Sequence, residues 1–233
     1  MATRDLKQSF LQTAADRISR YCPVIELEFG ICLGDVRPRE LRTGDWLDAF
    51  VEGFWAEWPR HILAKKGRAP SRFEEVLARA EATLIRAVAP PFLFLRFWWP
   101  DLFMQWNERD SSIWIAFYGW SREDYERNML RIDQYVVHEM AHGVWNRIAR
   151  AERNRLGESM KAWRRWRLWS EGFAHYLADV HFRGCYPPHV VVSEDWSDFR
   201  KRGKHLVVEL VKSRGSDVLR EIPLRWAEYT ATS

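Results

Sequence analysis

The 233-residue chain is poor in cysteine and contains no long apolar run, no internal repeat and no low-complexity segment. Its three cysteines (Cys22, Cys32, Cys185) are odd in number, and none belongs to a Cys-x-x-Cys pair. That excludes a disulfide framework and a cysteine-rich zinc finger. They read as buried thiols of a reducing compartment. Nothing approaches the roughly 18 consecutive apolar residues of a membrane helix. The richest run, residues 90–100, is short and bounded by Pro90 and Pro100. The first eight residues lack the apolar core of a secretory signal and start an amphipathic helix. A cytoplasmic protein with no membrane partner is the expectation. One domain is expected over 1–233, since no linker divides it.

Apolar residues make up 47% of the chain and charged residues 29%, the balance of an ordinary globular protein. The net charge is only +4, a mild bias towards anionic partners. Tryptophan is the outlier: fourteen copies supply large, rigid apolar surfaces.

Helical spacing of Leu6, Phe10, Leu11, Ala14 and Ile18 predicts a helix over 5–21. The alternation in 24–29, closed by Gly30, predicts a strand. Further helices are expected over 45–63 and from Ser71, where Glu74 completes a capping box, to the Pro90-Pro91 break. Aromatic and β-branched residues predict strands at 92–98 and 112–118, separated by the polar loop 107–111. Ser121-Arg122-Glu123-Asp124 is a helix start. A helical pattern follows to about 152, with a break near Arg131. More helices are expected over 158–182 and 195–213, and a short one after Gly215 ending before Pro223.

The chemistry concentrates in His138-Glu139-Met140-Ala141-His142. Residues i and i+4 lie on one helix face, so both imidazoles can reach one Zn²⁺ at about 2.0–2.1 Å. Glu139 falls beside the metal, where a carboxylate can take a proton from water. The flanking Tyr135-Val136-Val137 and Gly143-Val144-Trp145 make this a buried helix, which seldom carries two histidines and a glutamate without a ligand. A catalytic zinc needs a third protein ligand and an open position. Trp169-Ser170-Glu171-Gly172-Phe173-Ala174-His175-Tyr176 supplies two candidates. Glu171 is one, with His175 then in a supporting contact. His175 itself, one turn on, is the other.

His138-Glu139-Met140-Ala141-His142 followed by Ser170-Glu171-Gly172-Phe173-Ala174 resembles the gluzincin metallopeptidases, the thermolysin-like and minimal gluzincin group. The resemblance covers residues 91–222 as a catalytic core. Residues 1–90 form a mainly helical part of unassigned role. It implies an α+β, zincin-like fold: a small mixed sheet with an edge strand before the active-site helix, and a helical C-terminal half. It implies a zinc peptidase in which His138, His142 and Glu171 hold the metal and Glu139 is the general base. In that family the edge strand pairs with extended peptide substrate. Residues 113–117 are placed for that role, or for a core strand. Many gluzincins also carry a Tyr-x-x-Gly whose tyrosine steadies the oxyanion. Here Arg200 stands where that tyrosine would be, before Gly203. Arg200 or His205 could donate instead, as could Tyr176, Tyr186 or His189.

Two other functions fit the same residues. One is a zinc-binding, gluzincin-like interaction module without proteolytic activity. The other is a nucleic-acid binder using the Trp- and Arg-rich segment 161–169. Trp163, Trp166 and Trp169 are three apart, however, and form the stripe of a packed amphipathic helix. The arginines at 147, 150, 153 and 155 and the basic run 200–204 read as solvated helix faces. Substrate, cleavage specificity and oligomeric state are not written in the sequence.

Overall fold

The computed structural model describes residues 3–41, 71–73, 76, 80, 103–108, 110–117, 119–149, 160–192 and 197–229. The expected helix over 45–63, most of the one beginning at Ser71, and the expected strand 92–98 lie outside them. What is described is mixed α and β, mostly helical, with one three-stranded sheet.

Helix α1 (Thr3–Phe29) is longer than its sequence suggests. The expected strand over 24–29 is its last two turns. Ile25 and Phe29, four apart, are buried in line with Phe10, Ala14, Ile18 and Tyr21, while Leu27 is 84% exposed. A strand would have put all three apolar residues on one face. Pro23 sits inside the helix and removes one hydrogen bond at a cost of about 3 kcal/mol. Burial of Ile25 and Phe29 beyond it offsets that loss. Gly30, at φ +63°, then ends the helix, and the Ile31 N–H bonds back to the Glu26 carbonyl, as in a Schellman cap.

The sheet contains β1 (Arg37–Glu40), β2 (Phe103–Asn107) and β3 (Ser112–Ala116), in the order β1-β3-β2. β1 runs parallel to β3 and β2 antiparallel to it. The polar loop 107–111 is thus the turn of a hairpin, with Ser111 left-handed at φ +51°. Arg147, expected on a solvated face, steadies this turn instead, donating to Ser111 Oγ at 3.0 Å. β3 is the buried central strand, so of the two roles open to residues 113–117 they take that of a core strand.

Ser121 and Asp124 close a reciprocal capping box at the start of α2 (Arg122–Met129). The chain breaks at Leu130-Arg131 and continues as α3 (Ile132–Ile148). Helix α3 is the centre of the molecule: Val136, Val137, Met140, Ala141, Val144 and Trp145 are all fully buried. Its first turn carries the buried Asp133, which accepts from Tyr21 Oη at 2.5 Å and from Arg17 Nε at 3.0 Å. That bridge fixes α1 across α3.

Helix α4 (Met160–Tyr176) passes into a π-helical turn at Leu177–His181. α5 (Asp198–Arg214) packs along it. The two helices meet through glycine. A Cβ on Gly172 would lie 2.3 Å from the Gly203 carbonyl, and one on Gly203 would lie 2.4 Å from the Leu168 carbonyl oxygen. Two tryptophans of α4 face inward: Trp169 is buried against Tyr229, and Trp166 packs edge-on against Trp145. The final helix, α6 (Val218–Tyr229), does not stop before Pro223. It runs through it, because Leu219, Ile222, Trp226 and Tyr229 form one buried face. The three cysteines are free thiols, but only Cys22 is buried. No helix among the described residues is long and apolar enough to cross a membrane.

Two stability effects follow. Gly172→Ala and Gly203→Ala should each destabilise the protein by about 2–4 kcal/mol in urea unfolding, because backbone blocks the added methyl. Unchanged stability would mean that α4 and α5 do not touch there. Tyr21→Phe should cost about 1–3 kcal/mol, since the buried Asp133 loses a donor. A neutral result would show that Arg17 alone satisfies that carboxylate.

Candidate metal centre

His138 and His142 stand one turn apart on α3, as their spacing requires. Their Nε2 atoms are 3.2 Å from each other, with the rings at 86°. His142 Nδ1 lies 3.1 Å from Ser170 Oγ, at the turn of α4 that carries Glu171. In the tautomer that offers Nε2 as a ligand, Nδ1–H donates to that hydroxyl.

Helix α4 presents Glu171 and His175 to the same space. Glu171 Oε2 is 3.9 Å from His138 Nε2 and 3.9 Å from His175 Nε2. The His138 and His175 ring centres are 4.4 Å apart. One turn further, Asp179 turns a buried carboxylate towards His175, with Oδ2 3.8 Å from Nδ1. Asp179 is held by Lys204 Nζ at 2.8 Å and Gln134 Nε2 at 2.6 Å. Arg200, in the first turn of α5, brings Nε to 3.3 Å from Glu171 Oε2. The basic run 200–204 is therefore more than a solvated face: two of its members turn inward to carboxylates.

Glu139 points to the sheet side of α3. It is 6% exposed, and Oε2 accepts from the Trp106 N–H of β2 at 2.7 Å. The indole of Trp106 lies on Gly143, where a Cβ would come within 2.8 Å of the ring. One residue of β2 thus fixes both the carboxylate and the approach of the strand. Of the three strands, β2 is the one that borders the site.

Burial governs protonation. It drives the imidazoles of His138 and His142 below their ordinary range and that of His175 down to about 2, with Arg200 and neighbouring groups adding to the effect. All three rings are neutral, the form that ligates metal. Burial also raises the Glu139 carboxyl to about 8, opposed by the Trp106 N–H and reinforced by the charge of Glu171.

Three of these residues could hold a metal ion. Ligand atoms of His138, Glu171 and His175 all lie within 4.8 Å of one another. Two imidazole nitrogens on one tetrahedral zinc stand about 3.3 Å apart, close to the 3.2 Å between His138 and His142.

The structure therefore brings His138, Glu139, His142, Glu171, His175 and Arg200 together. It does not bring the other oxyanion candidates. His205 is exposed on α5 and His189 is exposed in a loop. The Tyr186 hydroxyl donates to the Ala178 carbonyl. Tyr176 is buried, its ring 6.5 Å from that of His181. Sequence reading missed Trp106, Gln134, Asp179 and Lys204. Asp179 had a signal: it continues the four-residue step Glu171, His175. No family model matches this chain, and no curated protein or solved structure matches it.

Titration with zinc against a chromophoric chelator tests the centre. The wild type should take up about one ion per chain, and His138→Ala should abolish tight binding. Ser170→Ala, which removes only the partner of His142 Nδ1, should weaken it about 10-fold. Equal affinity in all three proteins would rule the centre out.

Proposed function

We propose that this chain is a zinc-dependent metallopeptidase of gluzincin type, with His138, His142 and Glu171 holding the ion and Glu139 as the general base. The observation that carries the reading is the placement of Glu139. A purely structural metal site has no use for an additional buried carboxylate, and burying one is costly. Here it is retained next to the donor cluster and oriented by a strand N–H.

Zinc bound at such a site acts as a Lewis acid towards the scissile carbonyl and acidifies water. The chain's own residues supply the rest. Glu139 accepts the proton of the attacking water and delivers it to the leaving amine. The Trp106 N–H holds the carboxylate through both transfers. Arg200 supplies positive charge beside Glu171, in the region where the family's tyrosine acts, and would stabilise the oxyanion that develops on attack. The substrate is a peptide or protein, and the free thiols suit the cytoplasm as the place of action.

Glu139→Gln tests this directly. It should keep full zinc content and lower cleavage of a peptide library by about 100- to 10,000-fold. Cleavage at the wild-type rate in the variant would remove Glu139 from the chemistry. A zinc-loaded wild type that cleaves nothing would favour the non-proteolytic interaction module.

A further inference from the structure

We propose that Glu108 is a positioning residue for Glu139: by fixing the Trp106 indole it holds the Trp106 backbone N–H on the Glu139 carboxylate. Its consequence for catalysis rests on the peptidase reading above, whereas the positioning is a property of the fold alone.

Glu139, Gly143 and Arg147 follow one another at steps of four on α3. They therefore share one face of that helix, the face turned to the β2–β3 hairpin. Each meets the hairpin differently. Glu139 Oε2 accepts from the Trp106 N–H at 2.7 Å, the Trp106 ring covers Gly143, and Arg147 donates to Ser111 Oγ in the turn. Glu108, in the same turn, ties the last two contacts together. Its Oε2 accepts from Trp106 Nε1 at 2.9 Å, and its Oε1 lies 3.8 Å from an Arg147 guanidinium nitrogen.

The two holds on the indole differ in kind. Gly143 lets the ring approach but cannot orient it, because dispersion against bare backbone has no preferred direction. A hydrogen bond has one. Glu108 therefore fixes the rotation of the ring over α3, and the ring and the N–H that meets Glu139 belong to one residue. The Glu108–Arg147 pair is part-exposed and adds little by charge, so the bond to the indole is what Glu108 contributes.

This bond is selective. Trp114, Trp145 and Trp169 have buried indole N–H groups with no hydrogen-bond partner among the described residues, so packing suffices for those rings. At Trp106 a carboxylate answers the same group. The difference matters for a general base, which must lie within hydrogen-bond reach of the proton it takes. A misplacement of about 1 Å can cost on the order of 100-fold in rate.

Amide-resolved hydrogen exchange by NMR tests the positioning without a substrate. In Glu108→Ala the Trp106 amide should exchange at least about 10-fold faster. The Trp114 amide, whose residue pairs with Gln105 across the β2–β3 ladder, should keep its wild-type rate. Trp106→Phe removes the indole N–H but keeps a ring on Gly143, and should lose as much protection at position 106. The double variant should be no faster than either single one. Glu108→Gln, which keeps an acceptor for the indole, should restore the protection. In zinc-loaded Glu108→Ala, kcat for a peptide substrate should fall about 10-fold with KM and zinc affinity unchanged, and Glu108→Gln should recover most of that loss. Wild-type exchange at position 106 in both Glu108→Ala and Trp106→Phe would overturn the proposal. Equal acceleration of the Trp106 and Trp114 amides would overturn it too, since it marks a hairpin that has merely loosened. A wild type that binds zinc and cleaves no peptide would overturn the peptidase reading and leave the exchange rates to decide the positioning of Glu139.

Discussion

Three imidazoles and three carboxylates share the space around α3 and α4, and each has to be answered inside the protein. Removing a single charged group from water costs several kcal/mol even after relaxation. The chain meets that cost group by group. The histidines stay neutral, Glu139 takes the Trp106 N–H, Glu171 faces Arg200, and Asp179 is held by Lys204 and Gln134. Ligand atoms of His138, Glu171 and His175 meet within 4.8 Å of one another, a cluster that could hold a metal ion. Much of the architecture can be understood as delivery of these partners. β2 brings Trp106, α5 brings two cations, and α3 supplies Gln134 one turn before its first histidine.

The glycine contact between α4 and α5 is what makes that delivery geometrically possible. Gly172 adjoins Glu171, and Gly203 lies between Arg200 and Lys204. With backbone against backbone, the short distances from α5 to Glu171 and Asp179 are within side-chain reach. Any larger residue at either glycine would push the cations outward. The polar bridge from Asp133 to Tyr21 and Arg17 plays a parallel part on the other side of α3, where it sets the position of α1.

How much of this could be read from the chain alone depended on whether the signal was local. The His-Glu-x-x-His step, the Ser121 cap, the break at Arg131 and the Trp166–Trp169 pair of α4 all involve residues within a turn or two, and each stands where the spacing put it. The errors came where tertiary packing overruled a local rule. Residues 24–29 alternate like a strand, yet the burial of Ile25 and Phe29 holds them helical past Pro23. Pro223 is carried inside α6 by the apolar face on either side of it. β2 was missed because Phe103–Asn107 contains too few alternating positions to declare itself, which left residues 113–117 open between an edge and a core strand. Arg200 and His205 looked equivalent in sequence. They lie on different faces of α5, and only the glycine contact decides which of them meets Glu171.

The π-helical turn at Leu177–His181 has a consequence for kinship. A π-turn holds more residues than an α-turn, so positions beyond Leu177 fall out of phase with any protein whose corresponding helix is regular. Aligning this chain with such a protein takes a one-residue gap in the middle of a helix, where alignment schemes penalise gaps most. The candidate metal donors of α3 and Glu171 lie before the shift and would superpose. Asp179, α5 and its two inward-facing cations lie after it. Two proteins could thus share the same pair of site-bearing helices and still show little continuous sequence similarity.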